Sequence, residues 1–78
     1  MWIIEKILNK NYNKVLKERC MRELNLEKCI IKTGQSLRIE YLDGIFFGHE
    51  QVVNIVHNDS EIVIYTTKKI WFIKNINK

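Results

Sequence analysis

The chain has 78 residues, of which 46% are hydrophobic and 28% are charged, and its formal net charge is +4. A length near the lower end of what folds alone predicts a single domain over residues 1–78, with little room for a water-excluding catalytic pocket. The high apolar fraction excludes a disordered tail.

Residues 3–24 carry apolar side chains at the spacing of an amphipathic helix. A four-residue repeat places these side chains on one slowly winding stripe of a 3.6-residue helix. Asn9, Asn11 and Asn13 are poor helix formers, so an alternative is a break there that leaves Trp2–Leu8 as a separate element. The sequence predicts an N-terminal helix whose apolar stripe consists of Ile4, Leu8, Tyr12, Leu16, Cys20 and Leu24.

The second half of the chain, about residues 29–76, is typical of an antiparallel β-meander. Asp43-Gly44 lies between two β-type runs and favours a two-residue type I′ hairpin turn. Gly48 allows a bend, so residues 45–57 form either one long kinked strand or two. Asn58-Asp59 and Thr67-Lys68 predict the later turns. The predicted strands are Cys29–Thr33, Leu37–Leu42, one or two strands within Ile45–His57, Glu61–Thr66 and Lys69–Asn75.

The last predicted strand is apolar on both faces. Ile70 and Phe72 point to one side of a strand, while Trp71 and Ile73 point to the other. A sheet with one wet face would alternate apolar and polar residues. Because one short helix covers only one face, the second face requires closure into a barrel, a second copy of the chain, or a partner. The predicted fold is therefore α+β, with one helix packed on a curved, possibly barrel-like sheet of four or five strands.

No combination of residues predicts catalysis or metal binding. Cys20, Cys29, His49 and His57 are the soft metal ligands, and their spacing matches no zinc module. The chain contains no nucleophile elbow and no glycine-rich phosphate loop. We therefore expect a protein that is not an enzyme, with no catalytic residue, no metal, no cofactor and no small-molecule substrate.

The start of the chain predicts neither a signal peptide nor a membrane anchor. Met1–Ile4 is apolar, but Glu5 and Lys6 interrupt the run before it reaches the length of an apolar targeting segment. Two cysteines without a secretory signal are typical of a reducing compartment. The expected location is the cytoplasm of a bacterial host cell, with no membrane contact.

The first functional hypothesis is a small non-catalytic protein-binding module that occupies a partner's surface. Heavy use of Ile, Asn and Lys indicates an AT-rich coding sequence, as in phages and mobile elements of low-GC bacteria. One instance of this class is an inhibitor of a host defence complex, of the anti-CRISPR type. Since stable interfaces combine large apolar contacts with a polar rim, the predicted protein-binding residues are Phe46, Phe47, Tyr65 and Trp71, with Asp43 and Glu50 at the rim.

The alternative is a small basic nucleic-acid-binding accessory or regulatory protein. Lysines on one face can contact phosphates, an interaction that is independent of sequence and sensitive to salt. A solvated lysine-rich surface is the simpler interpretation of the same pattern. A third hypothesis is a homodimer whose seam is the second face of the sheet. The predicted nucleic-acid-binding residues are Lys10, Lys14, Lys17, Lys68 and Lys69.

Overall fold

The computed structural model describes residues 1–44 and 46–76, with the backbone alone at Phe46 and Phe47. Five strands form one antiparallel sheet in the order β2-β1-β7-β6-β5, and two short strands, β3 and β4, pair separately. No ladder joins β2 to β5 in the described residues, so the large sheet has two edges. The strands are β1 Trp2–Asn9, β2 Lys14–Lys17, β3 Ile39–Glu40, β4 Phe46–Phe47, β5 Val52–His57, β6 Glu61–Thr66 and β7 Lys69–Asn75.

The predicted N-terminal helix is wrong, and with it the α+β class, because the described residues contain no helix. Residues 3–24 instead contain β1 and β2, which pair as an antiparallel hairpin. The four-residue spacing does not mark one buried stripe, since Tyr12 is 80% exposed and Leu16 is 46% exposed. Within the described chain there is accordingly no helix that could span a membrane.

The asparagines that weakened the helix prediction build the turn between β1 and β2. The side-chain Oδ1 of Asn9 accepts hydrogen bonds from the backbone N–H groups of Asn11 and Tyr12, at 2.9 and 3.1 Å. Asn13 adopts a left-handed backbone conformation, with φ of 54°. Asparagine tolerates this conformation and bonds to nearby backbone, which favours a turn over a helix interior.

The predicted meander is confirmed for its last three strands, since β5, β6 and β7 pair antiparallel in chain order. The structure differs from the predictions for the earlier strands. Cys29–Thr33 contributes only an isolated bridge between Ile30 and Arg38. Of the range predicted to hold one or two strands, the described residues 46–57 contain β4 and β5, and Gly48 lies between them with φ of 104°.

Asp43 and Gly44 lie between β3 and β4, but not in a two-residue turn. Glu40 is opposite Phe46, so the connection spans residues 41–45. The N–H of Gly44 donates to the carbonyl of Tyr41 at 3.0 Å, and its φ is 90°. Asp43 does not have the positive φ that a type I′ turn requires at both central positions.

The core lies on one side of the large sheet, which we call the covered face. Side chains of β1, β6 and β7 pack there against residues from the segment that connects β2 to β5. That segment supplies Leu24, Leu37 and the β3 residue Ile39, each 3% exposed or less. The sheet contributes Ile4, Ile7, Ile62, Ile64, Trp71 and Ile73.

Candidate functional site

The second face of the large sheet carries two rows of apolar side chains. Residues directly opposite each other in an antiparallel ladder point to the same side. In the first row, Leu8 lies opposite both Val15 and Ile70, and Ile70 lies opposite Tyr65. In the second row, Val63 of β6 joins Phe72 to Val56. We call this surface the open face and define it by Leu8, Val15, Val56, Val63, Tyr65, Ile70 and Phe72.

The open face takes no part in the core. None of its residues belongs to the buried cluster, and none is fully buried. Val15 and Val56, on the two edge strands, are 42% and 51% exposed. The other members are half-buried. The sheet is therefore apolar on both faces, as its last strand predicted, and the residues that define the open face lie outside the buried cluster.

Positive charge borders the open face. The Nζ atom of Lys6 lies over the ring of Phe72, 4.9 Å from its centroid, where the electron-rich ring face attracts a cation. Lys74 of β7 is exposed and lies opposite Glu61. The border of the open face therefore carries Lys6 and Lys74, with Glu61 beside Lys74.

Glu50 and Trp71 belong to a hydrogen-bond network on the covered face. The ring of Trp71 is 1% exposed, and its Nε1–H donates to Glu50 Oε1 at 3.4 Å. Thr66 Oγ1 donates to the same oxygen at 2.7 Å, while Lys69 pairs with the other oxygen. Burial acts to raise the pKa of Glu50, but hydrogen bonds from these donors outweigh it and the pKa is lowered. Glu50 is therefore held as a carboxylate inside a hydrogen-bond network.

The residues predicted to bind protein do not form one surface. Trp71 faces the core, and Glu50 is bonded to it. Tyr65 lies on the open face, the opposite side of the sheet. Asp43 is exposed and accepts two hydrogen bonds from Arg22 Nη2, at 2.5 and 2.6 Å. The predictions for the side chains of Phe46 and Phe47 lie outside the described residues.

Sequence reasoning missed the β1 and β2 residues of the open face. Leu8 was assigned to the stripe of a helix, whereas the structure places it opposite Val15 in a hairpin. The signal that could have found them is the Asn9–Asn13 run, which marks a turn between two short apolar segments.

Four of the five lysines predicted to bind nucleic acid occupy neighbouring backbone positions at one end of the large sheet. They lie on strands and turns and not on the predicted helix. The backbone N–H of Lys10 donates to the carbonyl of Lys68 at 2.9 Å. Asn9 lies opposite both Lys14 and Lys69. Lys17 lies further along β2. We call this cluster the basic end and define it by Lys10, Lys14, Lys68 and Lys69.

A groove of about 530 Å³ lies beside β5 on the covered side. Ile55 and His57 of β5 form one wall, and residues 26–35 form the other. The Cys29 thiol in this groove exchanges hydrogen bonds with the backbone of Glu40, and burial raises its pKa. The described residues contain no group of three or more His, Cys, Asp or Glu side chains placed to hold a metal ion.

Comparison of the chain with protein-family models, with curated proteins and with solved structures finds no match in any of the three.

Proposed function

We propose that this chain is a non-catalytic protein-binding module that docks a partner protein against the open face. The observation that carries the proposal is the pair of apolar rows that crosses all five strands outside the core. A contiguous apolar surface outside the core is a feature of interaction sites. Lys6 and Lys74 border the rows, so the partner we propose has an apolar centre with acidic side chains around it.

The proposed mode of action is occupation of the partner's surface. Small size and an AT-rich coding composition support a phage or mobile-element protein that inhibits a host defence complex, of the anti-CRISPR type. The proposed location is the bacterial cytoplasm.

Photo-cross-linking tests the open face directly. A photoreactive phenylalanine analogue at Tyr65 should form an adduct with one specific protein in cells, while the same analogue at Tyr12 should not. Tyr12 is a matched control because it is an exposed tyrosine in the β1–β2 turn, outside the open face. The captured protein is then identified, purified and titrated with the wild type and with Lys74→Glu.

Lys74→Glu should weaken that binding by about tenfold, because a rim lysine would then repel the partner's acids. Identical adducts from Tyr65 and Tyr12, or equal affinity of the wild type and Lys74→Glu, would remove the support for the open face. An adduct of the chain with itself would reassign this face to self-association.

The basic end favours a second candidate function, which is binding of single-stranded nucleic acid. Lys10 and Lys14 flank Tyr12 in the β1–β2 turn, and Tyr12 is 80% exposed. The Lys69 ammonium is already paired with Glu50, which leaves Lys10, Lys14 and Lys68 to contact phosphates. Lysines that contact phosphates, together with an exposed ring on which a base can stack, are the elements of sequence-independent single-strand binding.

Fluorescence anisotropy with a labelled oligothymidylate tests this candidate. The double variant Lys14→Glu, Lys68→Glu should lose most of the affinity measured at low salt, and wild-type affinity should fall steeply as salt is added. Lys28→Glu is the control, since Lys28 is also exposed but belongs to residues 26–28, away from the basic end. Equal losses in the variant and the control would indicate general charge attraction without a site.

A further inference from the structure

The two edges of the large sheet are protected to different degrees. In native proteins, lysines, prolines or a short length commonly prevent an edge strand from pairing with another chain. The edge strand β2 has four residues, with Lys14 and Lys17 at its ends. The other edge strand, β5, has six residues, Val52–His57, and contains no Lys, Arg, Asp, Glu or Pro. β5 is therefore an edge that its sequence leaves open to pairing.

The ladder between β5 and β6 determines which backbone groups of β5 point outward. The N–H of Asn58 donates to the carbonyl of Glu61 at 2.9 Å. Bonded and unbonded pairs alternate in an antiparallel ladder, so Val56 bonds to β6 while Ile55 and His57 direct their N–H and C=O groups away from the sheet. In the described chain, none of the backbone hydrogen bonds made outside the ladders reaches these two residues.

The start of β5 is already occupied. The N–H of Val52 donates to the carbonyl of Gln35 at 2.8 Å, and the N–H of Gly34 donates to the carbonyl of Val52 at 2.9 Å. A register shift between Val52 and Asn54 then interrupts the ladder. The part of the edge that can accept a new strand is therefore short and centred on Val56, the residue between Ile55 and His57.

We infer that two copies of this chain associate through antiparallel pairing of β5 with β5, on a two-fold axis that passes beside Val56. Ile55 then lies opposite His57 of the second copy, and each such pair exchanges both N–H···O bonds. Val56 meets Val56 of the second copy as an unbonded pair, in which side chains approach most closely. This register uses the outward groups of Ile55 and His57 in both copies.

Charge complementarity selects a second copy as the occupant of this edge. β5 begins beside the basic end, where the N–H of Thr67 donates to the carbonyl of Gln51 and Lys68 follows. It ends at the turn that contains Asp59 and leads to Glu61. Antiparallel pairing directs the acidic turn of each copy toward the start of β5 in the other copy, the end nearer to Lys68, so the favourable long-range attraction occurs twice.

The dimer goes beyond the proposed function, because binding through the open face does not require a second copy. The two sheets would become one sheet of ten strands, and the open face would continue across the Val56 pair. The strand of the second copy would also lie along the groove, whose lining includes Ile55 and the partly exposed Ile30. A dimer would present the open face twice, which strengthens attachment to any partner that carries two sites.

Light scattering on wild type, Val56→Lys and Val15→Lys tests the inference. We expect the wild type at twice the chain mass of 9.4 kDa, Val56→Lys at 9.4 kDa, and Val15→Lys unchanged from the wild type. In Val56→Lys two ammonium groups would face each other on the axis. Val15→Lys is the matched control, because Val15 is also an exposed valine of the open face on an edge strand.

Amide hydrogen exchange supplies a readout that does not depend on a substitution. The N–H groups of Ile55 and His57 should be protected in the wild type and should exchange rapidly in Val56→Lys. His57→Pro removes one outward donor from an exposed position without touching the bonds to β6, so it should also give a folded monomer. Circular dichroism verifies that both variants keep the β-sheet signal.

A wild type that remains monomeric up to millimolar concentration would overturn the inference, as would a dimer that Val56→Lys and His57→Pro leave intact. Neither result bears on the cross-linking from Tyr65, so failure of the dimer and failure of the open-face proposal are distinguishable.

Discussion

The Trp71→Ala variant should melt about 15–30 °C below the wild type, because removing a fully buried tryptophan costs about 3–5 kcal/mol in a domain of this size. Trp71 is 1% exposed and lies opposite Ile7 of β1 and Ile64 of β6 in the middle of the sheet. The truncation leaves a cavity among these side chains and also removes the Nε1–H donor to Glu50. The total stability of a chain this long is ~4–12 kcal/mol, so this one substitution should remove a large fraction of it.

Phe72→Ala is the control for this experiment, since Phe72 is the adjacent aromatic residue on the opposite face. Its ring is half-buried and lies under Lys6, so its loss should lower the melting temperature much less. Thermal unfolding followed by circular dichroism measures both variants. Equal losses would mean that the two faces of β7 are buried to the same degree, contrary to the assignment of the open face.

The Glu50→Gln variant should be less stable at neutral pH by about 1.5–3 kcal/mol, the usual value of hydrogen bonds to a charged group. It should also lose part of the acid sensitivity of the wild type. The pKa of Glu50 is lowered in the folded state by Lys69, Thr66 and Trp71 against the opposing effect of burial. The carboxylate therefore stabilises the fold fully at pH values above its unfolded pKa, and this stabilisation is lost as the pH falls through the folded pKa.

Melting temperatures measured from neutral pH down to about pH 3 test this linkage. The wild type should lose stability over the acid part of that range, and the slope should be smaller in Glu50→Gln. Glu27→Gln provides the control, because Glu27 is an exposed residue of the 26–28 turn. If Glu50→Gln retained the full wild-type slope, another carboxyl group would be responsible for the acid sensitivity.

The C-terminal strands could be predicted from sequence because local signals agree there. β6 and β7 begin and end where the turns at Asn58-Asp59 and Thr67-Lys68 place them, Glu61–Thr66 and Lys69–Asn75. The side chain of Asn58 accepts hydrogen bonds from the backbone of Ser60 and Glu61, which is the physical basis of the first turn signal.

The N-terminal third could not be predicted because two periodicities compete in it. Leu8, Leu16 and their neighbours satisfy a four-residue helical spacing, while Ile3, Ile4 and Ile7 are β-branched residues that favour strands. What decides between them is the pairing of β1 with β7. That pairing joins opposite ends of the described chain, and no local pattern contains it.

The candidate site was predictable only in part, for a related reason. Alternation shows that Phe72 and Trp71 point to opposite sides, but it does not say which side meets the core. The answer depends on the segment between β2 and β5, where Leu24, Leu37 and Tyr41 cover the Trp71 side. That segment has almost no regular secondary structure of its own, so periodicity does not reveal where it packs.

The central position of β7 has a consequence for how the chain folds. β1 and β6 each pair with β7 and not with each other, so the two halves of the sheet are joined through this one strand. The β1–β7 ladder closes a loop that contains nearly the whole chain, and closing long loops before any contact is gained makes folding slow. An isolated two-stranded hairpin is at best marginally stable in water. The β1–β2 and β5–β6 hairpins therefore gain lasting stability only when β7 pairs between them, and folding should be a single cooperative transition limited by that event.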